Sequence, residues 1–383
     1  MPEVPLERKM FVDTIRKFAR NELELVADEI DATGEFPINL YRRLGALGFL
    51  GLRLPAEYGG FMEGNPDSVT VMMCVEEIAK ASAGFALSVG ASITLFAANV
   101  ARNGNEEQKT AYLPGIASGD KIGCWGLTEP DAGSDALGIK TRAVRAEGGW
   151  LLNGRKTFIT NAPIADHFII IARTGGEPGR IDGGTAFILD RGADGLSTGK
   201  PLDKMGMRCS PTGEIFLDNV FVPDSRVLGK PGNGFFDMMA SLDFERSVAG
   251  AINVAIAQRC LEICLEYSKT RTQFGKPISK FQLVQEKIAR MHRDIELART
   301  YIIHVLEMID SGRLVTAQAG IAKWFATEMG TQAALDAIQI LGGYGYCREY
   351  KVERYMRDAK LLEIGAGTNE INKLLIAKVL LGA

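Results

Sequence analysis

Cysteine is sparse: Cys74, Cys124, Cys209, Cys260, Cys264 and Cys347 are spread over 383 residues with no CxxC pair. That excludes a disulfide framework and a cysteine zinc or redox motif, and reduced thiols are expected. Cys260 and Cys264 share a helix face but have no third ligand nearby, so they read as small core residues. Only three histidines occur, His167, His292 and His304, without metal spacing between them. Packing roles are expected for all three, and no metal site. Neither sign of charge is in excess. Forty-four Lys and Arg stand against 47 Asp and Glu, a net charge of −3, which gives no electrostatic basis for binding nucleic acid. No run approaches the ~18–20 unbroken apolar residues of a membrane span, and the first residues hold no apolar stretch of secretory length. No membrane insertion is expected, and the chain reads as soluble and intracellular. There is no GxGxxG after a strand and no GxxxxGK[ST], so a dinucleotide, if bound, must be held otherwise than on a Rossmann site or P-loop.

What is present is unevenly distributed. Residues 123–234 contain 20 of the 43 glycines and 7 of the 14 prolines. Short apolar runs in this segment, at 150–152, 167–171, 185–189 and 214–217, are separated by Gly, Asp, Asn and Pro and predict strands in a compact sheet or barrel. Before it, apolar residues recur at three- and four-residue intervals over 4–30, 37–50 and 68–83 and predict helices. After it the same period covers 235–269, 278–311 and 314–341, with a turn-rich segment near Gly365. The Ala-rich stretch 249–255 favours close helix packing. With 46% hydrophobic residues the chain can bury two or three cores. The expected fold class is α+β, with an N-terminal helical domain over 1–122, a middle β domain over 123–234 and a C-terminal helical bundle over 235–383.

Two stretches gather polar groups. In Cys124-Trp125-Gly126-Leu127-Thr128-Glu129-Pro130-Asp131-Ala132-Gly133-Ser134-Asp135 an apolar strand end runs into a turn that exposes backbone N–H groups and hydroxyls. In Asn153–Asn161, Asn153-Gly154 predicts a hairpin turn, followed by a strand with Phe158 and Thr160 on one face. Each alone is compatible with an ordinary loop or hairpin. They occur in order with Arg271-Thr272-Gln273-Phe274-Gly275-Lys276, Gln339-Ile340-Leu341-Gly342-Gly343 and Gly365-Ala366-Gly367-Thr368-Asn369-Glu370. In these segments and their spacing the sequence resembles the acyl-CoA dehydrogenase family along essentially its whole length.

The resemblance implies that family's fold: an N-terminal helical domain, a middle β-barrel-like domain and a C-terminal four-helix bundle, assembled as a homotetramer with FAD at subunit contacts. It implies that Trp125, Leu127, Thr128, Gly133 and Ser134 lie along the flavin ring. Phe158 would stack on the ring, with Ile159 beside it and the Thr160 hydroxyl near N5. Arg271 would pair with the pyrophosphate, and Phe274, Gln282, Gln339, Gly342 and Gly343 would serve the cofactor of the neighbouring subunit. Thr368 and Glu370 would touch FAD from the C-terminal side. For the acyl-CoA, the resemblance implies Ser134 near the thioester and Phe236, Asp243, Phe244, Arg246 and Ala249 along the chain. The backbone at Ala366 and Gly367 would serve the thioester oxygen.

The family's reaction removes a proton from the α-carbon while a hydride leaves the β-carbon for the flavin. In most members the base is a Glu just before the C-terminal Gly-Thr pair, where this chain has Ala366. The isovaleryl-CoA dehydrogenase branch, which also reads Ile-Gly-Ala-Gly-Thr there, carries its base at the position of Glu245. Glu245 is therefore the expected base; the bland reading is a solvated helix Glu paired with Arg246. Ser247, Ala249 and Leu362 stand on or beside positions where that branch has bulkier side chains, so a wider pocket is expected, taking short branched, cyclic or aryl-substituted acyl groups. The expected electron acceptor is an electron-transferring flavoprotein. The expected location is the cytoplasm, or the mitochondrial matrix for a mature chain. The alternatives are an acyl-CoA oxidase or enoyl-CoA reductase on the same fold, or a non-catalytic flavoprotein scaffold.

Overall fold

The computed structural model describes residues 6–62 and 66–382; Val4, where the first predicted helix opens, lies outside them. Helices fill the first part: α1 Leu6–Phe18, α2 Glu24–Thr33, α3 Ile38–Ala46, α4 Ser68–Ala81, α5 Ala83–Gly90, α6 Ala98–Asn103 and α7 Glu106–Ser118. The single helix expected up to Ile30 is divided by π-helical residues Ala19–Leu23 and ends at Gly34, whose φ of 74° is the left-handed cap that glycine favours. The helix expected over 68–83 stops at Ala81. Ser82 turns extended and its hydroxyl accepts the Phe85 N–H at 3.3 Å, starting α5 instead.

Eight strands follow: β1 Gly123–Gly126, β2 Arg142–Ala146, β3 Gly149–Thr160, β4 His167–Arg173, β5 Gly184–Asp190, β6 Leu196–Thr198, β7 Thr212–Pro223 and β8 Val227–Leu228. They form one sheet in the order β6-β7-β3-β2-β4-β5-β8, with β1 parallel to β4. β6 and β8 stand at the two ends of this hydrogen-bonded order, and the sheet forms the expected middle β domain. Asn153-Gly154 is not the hairpin turn. The β2–β3 turn is Glu147-Gly148, and Asn153-Gly154 sits inside β3 where the register against β7 shifts. Gly154 has φ 153°, and a Cβ there would lie 2.8 Å from the Thr141 Cα. The Asn153 side chain closes on Asn219, accepting its N–H at 2.9 Å. The asparagine opposite takes up the polarity that a turn would have offered to solvent.

The last part comprises α8 Gly234–Thr270, a short hairpin of β9 Thr272–Gln273 and β10 Lys276–Pro277, α9 Gln282–Asp310, α10 Thr316–Leu341, α11 Val352–Ile364 and α12 Asn369–Leu381. The final two helices flank what the sequence shows only as a turn-rich segment. Residues 249–255 of α8 are all buried, and α8 packs on α10 through small side chains. A Cβ on Gly330 would stand 2.8 Å from the Asn253 Cβ. Gly330→Ala is expected to cost about 1–3 kcal/mol through overpacking, despite its better helix propensity; a denaturant titration with no loss of stability would contradict this.

Two helical stretches, Ala83–Asn103 and Gly234–Thr270, are apolar and long enough to cross a membrane. However, 78% and 72% of their most apolar windows are buried inside the protein. They are core helices. Five cysteines are buried, Cys347 is exposed and all six are free. His167 bonds Asp190 at 2.8 Å and packs against Phe96 and Tyr112. Among the described residues no group of three or more His, Cys, Asp or Glu could hold a metal ion.

Candidate active site

The polar loop after β1 is held against β3. The Thr157 N–H donates to the Thr128 carbonyl at 2.9 Å. Fully buried Lys156 donates to the Leu127 carbonyl at 2.9 Å and to Glu129 at 2.8 Å. Glu129 also accepts the N–H groups of Lys140 and Thr141 at 2.6 and 2.9 Å. Burial works against the Glu129 carboxylate, but Lys156 and these donors hold it below its ordinary range. Burial in turn pushes Lys156 down to about 8 in spite of Glu129. Leu127 and Thr128 are thereby tied to Lys156 and Thr157, the residues that precede Phe158 in β3, and Trp125 is half-buried in β1, while Gly133 and Ser134 lie exposed further along the loop.

A second register shift in β3, between Lys156 and Ile159, puts Phe158 at φ 56° with its ring 68% exposed. A bulky residue in the left-handed region costs about 1–2 kcal/mol and marks a constrained site. The next side chain, Ile159, points to the opposite face and lies in the core, 3% exposed. For Ile159 the cofactor role expected from sequence is therefore left to its backbone.

Glu245 lies on α8 among buried neighbours. Its Oε2 is buried without a hydrogen-bond partner, and burial pushes the carboxyl up to about 7 against the pull of Arg246 and Lys323. Arg246 is not its partner. That guanidinium donates to Asp243 at 3.1 Å, and Asp243 also accepts the Thr316 hydroxyl at 3.0 Å. Successive helix residues do not face each other, whereas i and i+3 do. Phe244 is buried, with the Arg53 guanidinium 3.8 Å above its ring centre, and Ala249 is buried one turn on; Phe236 is half exposed.

Lys323 of α10, which belongs to none of the motif segments, is fully buried. It donates to the carbonyls of Gly367 and Glu363 at 2.8 and 3.3 Å and to the Asn369 side-chain oxygen at 2.9 Å. A lysine in the otherwise apolar stretch 319–326 is the one sequence signal that points to it. The loop it holds carries Ala366 at φ 55° and Gly367 at φ 80°. The Thr368 hydroxyl accepts the Ile371 N–H at 3.2 Å as the N-cap of α12, and Glu370 lies exposed in the first turn.

A third group forms at the far end of α8. The Arg271 guanidinium lies 5.4 Å from the Tyr344 ring centre, next to exposed Gly342 and Gly343. Phe274, 93% exposed with φ 50°, packs its edge on Phe281 beside Gln282; Gln339 is exposed at the end of α10. Some 25 residues of α8 separate Arg271 from Glu245, roughly 38 Å along the helix axis. The structure does not bring these two groups together within one chain.

Models of the acyl-CoA dehydrogenase N-terminal, middle and C-terminal domains match residues 5–120, 124–220 and 232–381. The chain belongs to the acyl-CoA dehydrogenase family. It is 42% identical to the mitochondrial isovaleryl-CoA dehydrogenase of Solanum tuberosum, over 97% of this chain and 90% of that one. It is 41% identical to the 3-(aryl)acrylate reductase of Clostridium sporogenes (strain ATCC 15579), over 96% of both. The solved butyryl-CoA dehydrogenase of Megasphaera elsdenii superimposes with a TM-score of 0.96 at 38% identity, covering 99% of each chain.

This acyl-CoA dehydrogenase is thus an FAD-dependent oxidoreductase with the family's helical, sheet and helical layout. Its residues fit the cofactor: the Phe158 side chain is exposed in β3, next to Thr157, whose N–H donates to the Thr128 carbonyl. A Cβ on Gly133, Gly342 or Gly343 would meet nothing within 4 Å, so the backbone there is open to close approach.

Proposed function

We propose that this enzyme dehydrogenates a short branched, cyclic or aryl-substituted acyl-CoA to its 2,3-enoyl-CoA, with Glu245 as the base that takes the α-proton. The observation that carries this reading is Glu245, half-buried on α8, whose Oε2 is buried without a partner and whose carboxyl desolvation pushes up to about 7. A carboxylate near neutrality is strong enough to take a proton and is still ionised at working pH. FAD supplies the acceptor for the hydride that leaves the β-carbon. The chain's own groups do the rest. Thr128, Ser134 and Thr160 offer hydroxyls to the polar edge of the ring, and Phe158 offers its face. Asp243, which also accepts the Thr316 hydroxyl, takes the Arg246 guanidinium and leaves the Glu245 Oε2 without a partner, and Phe236, Phe244 and Ala249 accompany the acyl-CoA chain. The backbone N–H of Ala366, with Gly367 next to it, polarises the thioester carbonyl, which acidifies the α-proton.

Small Ser247 and Ala249, both buried with Leu362, support a pocket wider than an isovaleryl group needs. Anaerobic flavin bleaching with an acyl-CoA panel tests cofactor, reaction and pocket together. Cyclic or aryl-substituted acyl-CoAs are expected to match or exceed isovaleryl-CoA in kcat/KM, and a clear preference for isovaleryl-CoA would overturn the pocket assignment. Identity to an arylacrylate reductase favours one second reading, net reduction of an enoyl thioester, which would show as reduced enzyme reoxidised by an aryl-enoyl-CoA faster than it is bleached by the saturated one. The reading also includes an electron-transferring flavoprotein as acceptor and a homotetramer. The roughly 38 Å between Glu245 and Arg271 supports a cofactor served by two chains, with Arg271, Phe274, Gln282, Gln339, Gly342 and Gly343 acting on a neighbour's FAD. Thr368 and Glu370 complete the FAD contacts from the C-terminal loop. Mitochondrial and bacterial relatives support a matrix or cytoplasmic setting.

A further inference from the structure

Arg173 of β4 is buried, and its side-chain hydrogen bonds all go to backbone carbonyls. On one side it donates to Leu137 and, at 3.1 Å, to Ile139. On the other it reaches the β4–β5 loop, at the carbonyls of Arg180 (3.2 Å) and Asp182 (3.4 Å). The Asp182 carboxylate is not its partner, being taken by Arg180 at 2.8 Å. A buried arginine is ordinarily paired with a carboxylate; this one is spent on joining two loops. They also meet directly, the Gly179 N–H donating to the Leu137 carbonyl at 2.7 Å. The guanidinium lies 5.2 Å from the ring centre of Phe235, which is fully buried in the first turn of α8. That ring is packed tightly in turn: a Cβ on Gly184 would stand 2.4 Å from it. Leu137 and Ile139 belong to the far arm of the loop that carries Gly133 and Ser134. Lys156 holds the near arm at Leu127 and Glu129, and Glu129 ties the arms together through the N–H groups of Lys140 and Thr141. The loop is thus pinned at its base by two buried cations from neighbouring parts of the sheet, with an exposed tip.

We propose that Arg173 is a positioning residue for acyl-CoA binding: it fixes the far arm of the Ser134 loop against the start of α8, so that the segments bearing Ser134 and Phe236 keep a set separation. This rests on the reading that places Ser134 and Phe236 along the acyl-CoA. The task suits arginine, because a planar fork of five donors can hold carbonyls on two loops at once and still lay its face towards an aromatic ring, which an ammonium cannot do. The clamp acts away from the α-carbon, on contacts that are alike in the bound substrate and in the transition state. Its loss therefore falls on KM and not on kcat. The near arm, with Leu127 and Thr128, keeps its own anchor in Lys156, so FAD stays bound when Arg173 is replaced.

The test is steady-state kinetics of the FAD-loaded enzyme with the best acyl-CoA of the bleaching panel, KM and kcat read separately and FAD content and thermal midpoint measured alongside. Arg173→Met is expected to raise KM about tenfold and to change kcat by less than about twofold. Arg173→Lys keeps the charge but cannot span both loops, and its KM is expected to fall between those of the wild type and the methionine variant. The lysine variant also decides the matter where the methionine variant does not fold. Arg173→Lys, folded and FAD-loaded with the wild-type KM, overturns the proposal. So does a joint decline of KM, kcat and FAD content in both variants, which is the pattern of a merely structural arginine. Phe236→Ala separates this from the parent reading. An unchanged KM in that variant would remove Phe236 from the acyl-CoA path and the Arg173 role with it. A raised KM there, with the wild-type KM in Arg173→Lys, would remove the Arg173 role alone.

Discussion

Glu245→Gln is expected to lower kcat/KM for the acyl-CoA by about 10³-fold, within the range of a lost general base, while FAD stays bound. Glutamine keeps the shape and cannot accept the α-proton. In the wild type the rate is expected to fall about tenfold per pH unit below about 7, where Glu245 becomes protonated. The variant's residual rate should lack this limb. The same substitution acts on stability in the opposite direction. A carboxyl raised from 4.5 to about 7 by burial binds its proton more tightly in the folded than in the unfolded chain. Folding stability therefore declines as pH rises from the ordinary carboxylate range towards 7, by roughly 3 kcal/mol in all. Above pH 7 Glu245→Gln should melt higher than the wild type, and below about pH 4.5 the difference should vanish. Thermal melts on either side of this window check the sign; a variant less stable on the alkaline side would mean that the carboxylate is not burdened by burial. Such an exchange of stability for function is common at active sites.

Lys156→Met should cost about 3–5 kcal/mol, because it removes one partner of a buried ion pair and leaves the other charged. Lys156 is fully buried and joins Glu129 to the Leu127 carbonyl. Methionine fills similar volume, so cavity formation adds little. Most of the cost falls on Glu129, which keeps two backbone donors but loses its cation. Its carboxyl should rise, and stability that the wild type loses only at low pH should be lost at higher pH in the variant. A second consequence separates this from a general loss of packing. The loop bearing Trp125, Leu127, Thr128 and Ser134 is released at its anchor, so FAD affinity should weaken before the helical parts unfold. Denaturant titration followed in parallel by flavin fluorescence and far-ultraviolet circular dichroism measures both; coincident transitions with wild-type midpoints would contradict the prediction.

The helices and strands that carry the site are largely legible in the sequence because their signal is local. Apolar periodicity over 235–269, 278–311 and 314–341 marks α8, α9 and α10 to within a few residues, and the Gly-Pro punctuation of 123–234 marks the sheet. Local reading fails where a partner far along the chain decides. Asn153-Gly154 has the composition of a hairpin turn, but β7 supplies Asn219 opposite it and a bulge results. Helices α11 and α12 are short and lie on either side of the turn at Gly365, so the turn residues between them dominate the local pattern.

For the site the division is similar. The order of the five polar segments is a property of the sequence alone and suffices to indicate the family, while the occurrence of Glu245 together with Ala366 is what motivates the proposed base. The state of that base is a different matter. Whether Glu245 is paired with Arg246 or left without a partner depends on Asp243, which also accepts the Thr316 hydroxyl, taking the arginine. Residue type and spacing determine which groups a chain has, but burial and the distances between charges set what those groups do. Both come into existence only when α8, α10 and the C-terminal loop pack together.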